Sequence, residues 1–273
     1  MFQMKSGLLF LFLICAFFSG KAQDKRDNNT VNLKGMRVLV FTKNGKGFVH
    51  DNIPESIKAL QLLGSQNGFA VDTTTNAALF NDQNLRKYNA IIFSNSNNQV
   101  FDTEAQKVAL MRFVQAGGGI VGIHIACGTE RQWTWFKQMI GGSFLMHPKL
   151  QEFPVLPVEA KHPSVAVIPT VWTVQDECYF LRDMNPTMRV LMVADTKKLR
   201  EANTEKPLPD TFGRYVPIVW CNTYDGGRQW NTTLGHAKSS YTDKIYMQHI
   251  LGGLKWAAAD KLDYKKAYAT KSE

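Results

Sequence analysis

The chain has 273 residues and a formal net charge of +9, and 44% of its residues are hydrophobic while 20% are charged. This balance is typical of a folded globular protein and excludes a chain that is disordered throughout. The basic residues are scattered, without the aromatic interleaving or the motifs of nucleic-acid-binding proteins, so the charge does not predict a nucleic-acid partner.

The first 22 residues have the pattern of a secretory signal peptide. Lys5 precedes an apolar run over residues 8–18, and small residues at Gly20 and Ala22 suit signal-peptidase cleavage. The run is shorter than the roughly 20 residues that cross a bilayer as a helix, so no transmembrane segment is predicted. Lipidation at Cys15 is the less favoured interpretation, because the residues before it are large. We therefore expect a secreted or periplasmic protein with a cleaved leader.

The mature chain is expected to fold as one domain. Residues 23–34 are polar and predict a flexible amino terminus, residues 35–260 are long enough for one α/β domain, and residues 261–273 form a basic tail. Three cysteines remain after cleavage, at positions 127, 178 and 221. Their odd number and their spacing match neither a disulfide framework nor a metal motif, so they are predicted to be core thiols.

The first half of the domain alternates strands with helices. Strands are predicted over 36–41, 69–73, 90–93 and 117–123. A helix that Asp51 or Asn52 can cap ends near Gly64, and another helix ends at Gly117. Strands that alternate with helices of this length predict a parallel sheet.

The second half has a different pattern. Strand-like pieces between residues 153 and 174 are interrupted by prolines, which favours short or edge strands. Runs over 216–221 and 228–234 flank Asp225-Gly226-Gly227, which predicts a β-hairpin, and a helix over 241–259 closes the domain. The predicted fold class is α/β, with three layers and a mostly parallel central sheet that has helices on both faces.

A buried strand that ends on a histidine is the most informative stretch. Residues 117–123 are glycine or apolar, and the first polar side chain is His124. In open α/β sheets, ligands bind at the carboxyl ends of the strands, where His124 is expected. His50 follows the first strand, so both histidines are expected at the same edge. An isolated histidine there could equally be a hydrogen-bonded structural residue.

A second group of candidates lies in the later half of the chain. In a strand, Asp176 and Glu177 would face opposite ways, so only one of them can point into a given pocket, with Tyr179 on the side of Glu177. Arg228 could bind a carboxylate or pair with Glu177, although an ordinary salt bridge is nearly as good an account. Trp220 could stack on a sugar ring or belong to the core.

Together these segments resemble the ThuA-like (trehalose utilisation) family, which has a class I glutamine amidotransferase-like fold. The resemblance runs from about Val38 to Trp256. It rests on 48–50 (Phe-Val-His), 117–124 (Gly-Gly-Gly-Ile-Val-Gly-Ile-His), 141–148 (Gly-Gly-Ser-Phe-Leu-Met-His-Pro), 162–163 (His-Pro), 176–179 (Asp-Glu-Cys-Tyr), 217–220 (Pro-Ile-Val-Trp), 227–228 (Gly-Arg) and 234–236 (Leu-Gly-His). The fold resemblance implies that His124 occupies the turn that holds a catalytic cysteine in amidotransferases, and an imidazole is a poor substitute for that thiolate.

The resemblance implies carbohydrate use, on disaccharides or on oxidised (3-keto) glucosides, by acid/base or metal-assisted chemistry. On this basis we predict an acid/base pair and a set of substrate contacts. The pair is His124 and Glu177, and the contacts are His50, His147, Asp176, Tyr179, Trp220, Arg228 and His236.

Three questions stay open at this stage. A divalent metal is possible, with His50, His124, His147 and His236 as candidate ligands, but their spacing follows no short ligand signature. No phosphate-binding loop or dinucleotide fingerprint is present, so no nucleotide is expected. A non-catalytic sugar- or partner-binding module is the alternative function, and an amidohydrolase that uses Cys127 ranks last.

Overall fold

A computed structural model describes residues 30–200, 213–258 and 261–270. The predicted signal peptide and Cys15 lie outside these residues. The strands are β1 (Arg37–Phe41), β2 (Ala70–Thr74), β3 (Ala90–Ser94), β4 (Gly119–Ile123), β5 (Ser143–Met146), β6 (Gln151–Pro157), β7 (Trp172–Asp176), β8 (Phe180–Arg182), β9 (Arg189–Asp195), β10 (Tyr215–Tyr224) and β11 (Gly227–Thr232). The helices are α1 (Ile53–Asn67), α2 (Asp82–Leu85), α3 (Glu104–Gln115), α4 (Thr134–Ile140) and α5 (Lys244–Ala257).

Nine strands form the main sheet in the order β2-β1-β3-β4-β11-β10-β9-β6-β7. The five strands from β2 to β11 run parallel, whereas β10, β9, β6 and β7 pair antiparallel. The α/β class is confirmed, but the prediction of a mostly parallel sheet is wrong because half of the sheet is antiparallel. The hairpin between β10 and β11 causes the change, since a tight turn can only join antiparallel strands.

Helices cover both faces of the parallel half. On β1, Val38 and Val40 pack in one cluster with Leu60 of α1, and Leu39 and Phe41 pack in the other with residues of α3 and α4. Among the described residues, β6, β7 and β9 follow one another with no α-helix between them. The molecule is therefore not a uniform three-layer sandwich, which corrects that part of the prediction.

Both ends of the described chain pack against the domain. The amide of Val31 donates to the carbonyl of Lys255 at 3.1 Å, and Leu33 is buried in the core. The described part of the segment predicted to be flexible is thus held in place. Near the carboxyl end, the amide of Tyr268 donates to Gln115 Oε1 at 2.9 Å. No helix in the described ranges is long and apolar enough to cross a bilayer.

Candidate active site

Three histidines and one glutamate meet at the carboxyl edge of the parallel strands. The four are His50, His124, Glu177 and His236, and one ligand atom from each lies within 4.8 Å of the others. His50 follows β1, His124 follows β4, Glu177 follows β7 and His236 follows β11. The sequence therefore placed His50 and His124 at the same edge, and the structure brings these residues into contact.

The backbone at His124 presents its ring to this cluster. His124 begins the short 3₁₀ turn His124–Gly128 directly after β4, and its φ of +56° lies in the left-handed region. For a residue with a Cβ this conformation costs roughly 1–2 kcal/mol. Non-glycine residues in such conformations cluster at functional sites, where a strand turns sharply and projects one side chain.

A hydrogen bond fixes the tautomer of His124. Its Nδ1 lies 2.8 Å from the carbonyl oxygen of Thr233. A carbonyl only accepts hydrogen bonds, so Nδ1 carries the proton and Nε2 presents a lone pair. That lone pair faces Tyr179 Oη at 2.8 Å, His50 Nε2 at 3.1 Å and Glu177 Oε2 at 3.6 Å.

The carboxylate of Glu177 contacts three imidazole rings. Its Oε2 lies 3.2 Å from His236 Nδ1 and 3.6 Å from His124 Nε2, and its Oε1 lies 3.6 Å from His147 Nδ1. Burial alone would raise the pKa of Glu177, but the contact with His236 and the nearby charges of His147 and His236 outweigh it and lower that pKa. Glu177 is therefore ionised at neutral pH.

The histidines of the site are in different electrostatic environments. Burial lowers the pKa of His50 to about 4, and burial followed by repulsion from His50 lowers the pKa of His124 well below its usual value. The contact with the Glu177 carboxylate raises the pKa of His236. The site thus combines two neutral rings, one ring that holds a proton more readily and one anionic carboxylate.

Asp176 supports the site from below and does not face the cluster. Its buried carboxylate accepts hydrogen bonds from the amides of Gly235 at 2.7 Å, Glu177 at 2.8 Å and His236 at 3.2 Å. Burial raises the pKa of Asp176 to about 6, although these amide bonds oppose the rise. It was predicted as a substrate contact, but the structure gives it a positioning role that joins the end of β7 to the loop after β11.

Trp220 and Arg228 do not join the cluster, so their prediction as substrate contacts is wrong. Trp220 is fully buried and its Nε1 donates to the carbonyl of Ile140 at 2.8 Å, which places the ring under α4. Arg228 is the second residue of β11, five residues before Thr233, and its guanidinium sits over the ring of Trp256. Because β11 runs parallel to β4, this is the opposite edge of the sheet.

His147 and Tyr179 complete one wall of the site. Their rings lie 5.5 Å apart, and Phe144 packs against Tyr179 at a ring separation of 4.6 Å. His147 Nδ1 donates to the carbonyl of Pro148 at 2.7 Å. His147 is therefore next to Glu177 but lies outside the four-residue group, and its role as a substrate contact stays a prediction.

Three residues that support or border the cluster are not among the site residues predicted from the sequence. Asn52 is one of the two predicted caps of α1, with Asp51, but its side chain makes no capping bond and its Nδ2 donates to the carbonyls of Gly235 at 2.7 Å and His236 at 2.8 Å. Thr233 acts through its backbone carbonyl, which no side-chain pattern reveals. Phe48 carries a motif of the resemblance but received no role, and its ring lies 4.8 Å from that of His50.

The cysteines are packed thiols, as their spacing predicted. Cys127, Cys178 and Cys221 are buried, and none of them forms a disulfide bond within the described residues. Burial raises the pKa of Cys127 to about 12, so its thiolate is scarce at neutral pH. Its sulfur lies 3.7 Å from the carbonyl of His124, inside the turn. These properties argue against the amidohydrolase alternative.

A family model described as trehalose utilisation (ThuA) matches residues 37–257. The chain belongs to the ThuA family. The family's glutamine amidotransferase-like fold agrees with the parallel half of the sheet and with the position of His124 after β4. The ThuA match also covers all four residues of the cluster.

Solved structures show the same fold. A ThuA-like protein from Bacteroides uniformis is 19% identical, with a TM-score of 0.68 over 87% of this chain and 98% of that chain. A ThuA-like protein from Parabacteroides merdae is 22% identical, with a TM-score of 0.64 over 84% of this chain and 92% of that one. A cytoplasmic protein from Salmonella typhimurium is 12% identical, with a TM-score of 0.54 and coverage of 82% and 100%. No curated protein matches the sequence.

Proposed function

We propose that this protein is a carbohydrate-active enzyme that acts on disaccharides or keto-glucosides by acid/base chemistry. The observation that carries the proposal is the contact of one carboxylate, Glu177, with the rings of His124, His147 and His236 at the ligand-binding edge of the sheet. The trehalose-utilisation family supplies the substrate class, since membership suggests a role in sugar use.

The charges of the site suit proton transfer in both directions. The ionised carboxylate of Glu177 can accept a proton, for example from a carbon next to a sugar carbonyl. His236 can donate one to a leaving or carbonyl oxygen, because its pKa is raised. His124 stays neutral and its Nε2 accepts the hydrogen bond of the Tyr179 hydroxyl at 2.8 Å, which leaves the Tyr179 oxygen to accept a hydrogen bond from a substrate hydroxyl. Paired groups whose pKa values move apart are typical of acid/base sites.

The rim of the site suits a sugar ring. Phe48 is 66% exposed, and its ring meets that of His50 at 86°. Binding sites for small polar ligands combine apolar surface with a few convergent polar groups, and a sugar presents both C–H and hydroxyl faces. We infer that Phe48 packs against the C–H face while the histidines contact hydroxyl or carbonyl oxygens.

The amino-terminal signal completes the proposal. If the first 22 residues direct export, the enzyme meets its substrate outside the cytoplasm. Detection of mature protein that begins near residue 23, in the periplasmic or culture fraction, supports export. Full-length protein confined to the cytoplasm contradicts it.

A non-catalytic sugar-binding module is the second candidate. The observation that favours it is the imidazole at position 124, in the turn where the amidotransferase fold carries its nucleophile. Such a module would use the same pocket and rim but would release its ligand unchanged.

One experiment separates the two functions. Glucosides and 3-keto-glucosides, with trehalose included, are incubated with the wild type, His124→Ala and Glu177→Gln, and with Asp183→Asn as an exposed control. An enzyme should convert at least one compound, with kcat reduced about 10²–10⁴-fold in both site variants and unchanged in the control. Binding without turnover favours the sugar-binding module. If the wild type shows no binding and no turnover with any compound, both functions are refuted.

A further inference from the structure

The structure assigns a divalent metal site of the zinc class to His50, His124, His236 and Glu177. The inference rests on the pocket of the proposed function and changes the roles of two of its residues: with a metal bound, Glu177 and His236 act as ligands, so the acid/base roles given to them above apply to the metal-free protein. The donors are three imidazole nitrogens and one carboxylate oxygen, which suit zinc and neighbouring first-row ions.

Three of the six distances between the donor atoms match one shared tetrahedral cation, and all four donor atoms lie within 4.8 Å of one another. A tetrahedral zinc ion with bonds of about 2.0–2.1 Å separates its ligand atoms by about 3.3 Å. The structure places His50 Nε2 and His124 Nε2 3.1 Å apart, His236 Nδ1 and Glu177 Oε2 3.2 Å apart, and His124 Nε2 and Glu177 Oε2 3.6 Å apart. These three separations lie close to the edges of such a tetrahedron.

Hydrogen bonding alone does not satisfy these atoms. The Nε2 of His124 has a single lone pair, yet Tyr179 Oη and His50 Nε2 both approach it within 3.1 Å. His236 Nδ1, a proposed ligand atom, is buried 3.2 Å from Glu177 Oε2 and has no hydrogen-bond partner among the described residues. A cation between the donors would be contacted by all four at once, whereas one lone pair cannot accept two hydrogen bonds.

The surrounding residues have the arrangement that supports metal ligands. A metal-binding imidazole usually donates its other N–H to a carbonyl or carboxylate, and His124 donates Nδ1–H to Thr233. Asn52 and Asp176 hold the backbone at position 236 from two sides, through its carbonyl and its amide. The ligand loops are thus fixed before a metal arrives.

His147 is excluded from the set, which corrects the candidates drawn from the sequence. Its Nδ1 is engaged by the Pro148 carbonyl at 2.7 Å and lies 3.6 Å from the other carboxylate oxygen of Glu177. Glu177 takes the fourth position in its place. This difference gives the test an internal control, because His147→Ala removes an imidazole from the pocket without removing a proposed ligand.

Zinc binding to chelator-treated full-length protein tests the assignment by isothermal titration calorimetry, without any substrate. The wild type should bind one Zn²⁺ per chain. His236→Ala and Glu177→Gln should weaken binding at least about tenfold, and His147→Ala should change it less than threefold, with circular dichroism confirming that each variant folds. If the wild type fails to bind one Zn²⁺ per chain, the inference is overturned. It is also overturned if His147→Ala lowers the zinc affinity as much as His236→Ala does.

X-ray absorption by the zinc-loaded wild type gives a second test that needs no variant. Scattering from three imidazoles is expected, and a spectrum with fewer than two contradicts the assignment. The outcomes are separate from those for the proposed function: sugar turnover by protein that binds no zinc sinks only the metal site, and zinc binding without any sugar activity sinks only the function.

Discussion

Replacement of Asp176 by asparagine tests how the site is held in place. The Asp176 carboxylate accepts three backbone hydrogen bonds, from Gly235, Glu177 and His236. An asparagine side chain has one acceptor oxygen, so its amide group must turn N–H donors toward at least one backbone N–H. The variant therefore loses at least one hydrogen bond to a charged group and leaves a buried donor without a partner.

The expected cost follows from these contacts. Leaving one buried N–H unpaired costs about 1–3 kcal/mol. For a domain of this size, each 1 kcal/mol lowers the unfolding temperature by about 2–4 °C, so Asp176→Asn should unfold roughly 2–12 °C below the wild type. Because the lost bonds position Glu177 and His236, turnover or zinc affinity should fall as well.

Thermal unfolding followed by circular dichroism measures the effect, with Asp183→Asn as the matched control. Asp183 pairs with Lys137 at 3.1 Å on the surface, and exposed pairs contribute about 0–1 kcal/mol. The control should therefore shift little. An unfolding temperature for Asp176→Asn that equals that of the control would refute the reasoning, because it would mean that the three amide bonds do not hold the loop.

Three further predictions concern stability and binding. Burial lowers the pKa of His249 to about 4, below its usual 6.5. Between pH 6.5 and pH 4 this histidine is therefore protonated in the unfolded chain but neutral in the folded protein. The free energy of unfolding should fall by up to roughly 3 kcal/mol as the pH drops across this range. His249→Asn should flatten that part of the profile in urea titrations, and an unchanged slope contradicts this. Phe48→Ala should raise KM for the sugar about tenfold while kcat stays nearly unchanged. A KM of the variant equal to that of the wild type would disprove this prediction. Gly122→Ala places a Cβ against Asn231 and should destabilise the fold by about 1–3 kcal/mol. Equal denaturant midpoints for the variant and the wild type would refute this prediction.

The sequence predicted the centre of the site because one rule of parallel sheets applies to it directly. His50 and His124 follow strands that are adjacent to a common neighbour, β3, and the carboxyl ends of parallel strands share an edge. Glu177 was chosen over Asp176 because neighbouring side chains point to opposite sides. The structure brings Glu177 into the cluster and leaves Asp176 beneath it.

The predictions for Arg228, Trp220 and Asn52 differ from the structure because contacts between residues far apart in the sequence determine where these side chains lie. Arg228 lies at the start of β11, and His236 lies in the loop that follows the same strand. Only the direction of β11 in the sheet shows that these two residues are at opposite edges. The sequence does not show which face of the sheet Trp220 packs on, because this depends on the position of α4. Asn52 has the composition of a cap, but bonds to carbonyls more than 180 residues away take its side chain instead.

The most direct test of the account is turnover of the glucoside and keto-glucoside panel by the wild type and by Glu177→Gln, monitored by mass spectrometry. We predict that the wild type converts at least one compound and that the variant, folded and equally stable, loses at least about a hundredfold in kcat. A wild type that neither binds nor converts any member of the panel, or a variant that remains fully active, would contradict the claim that this cluster is the working site.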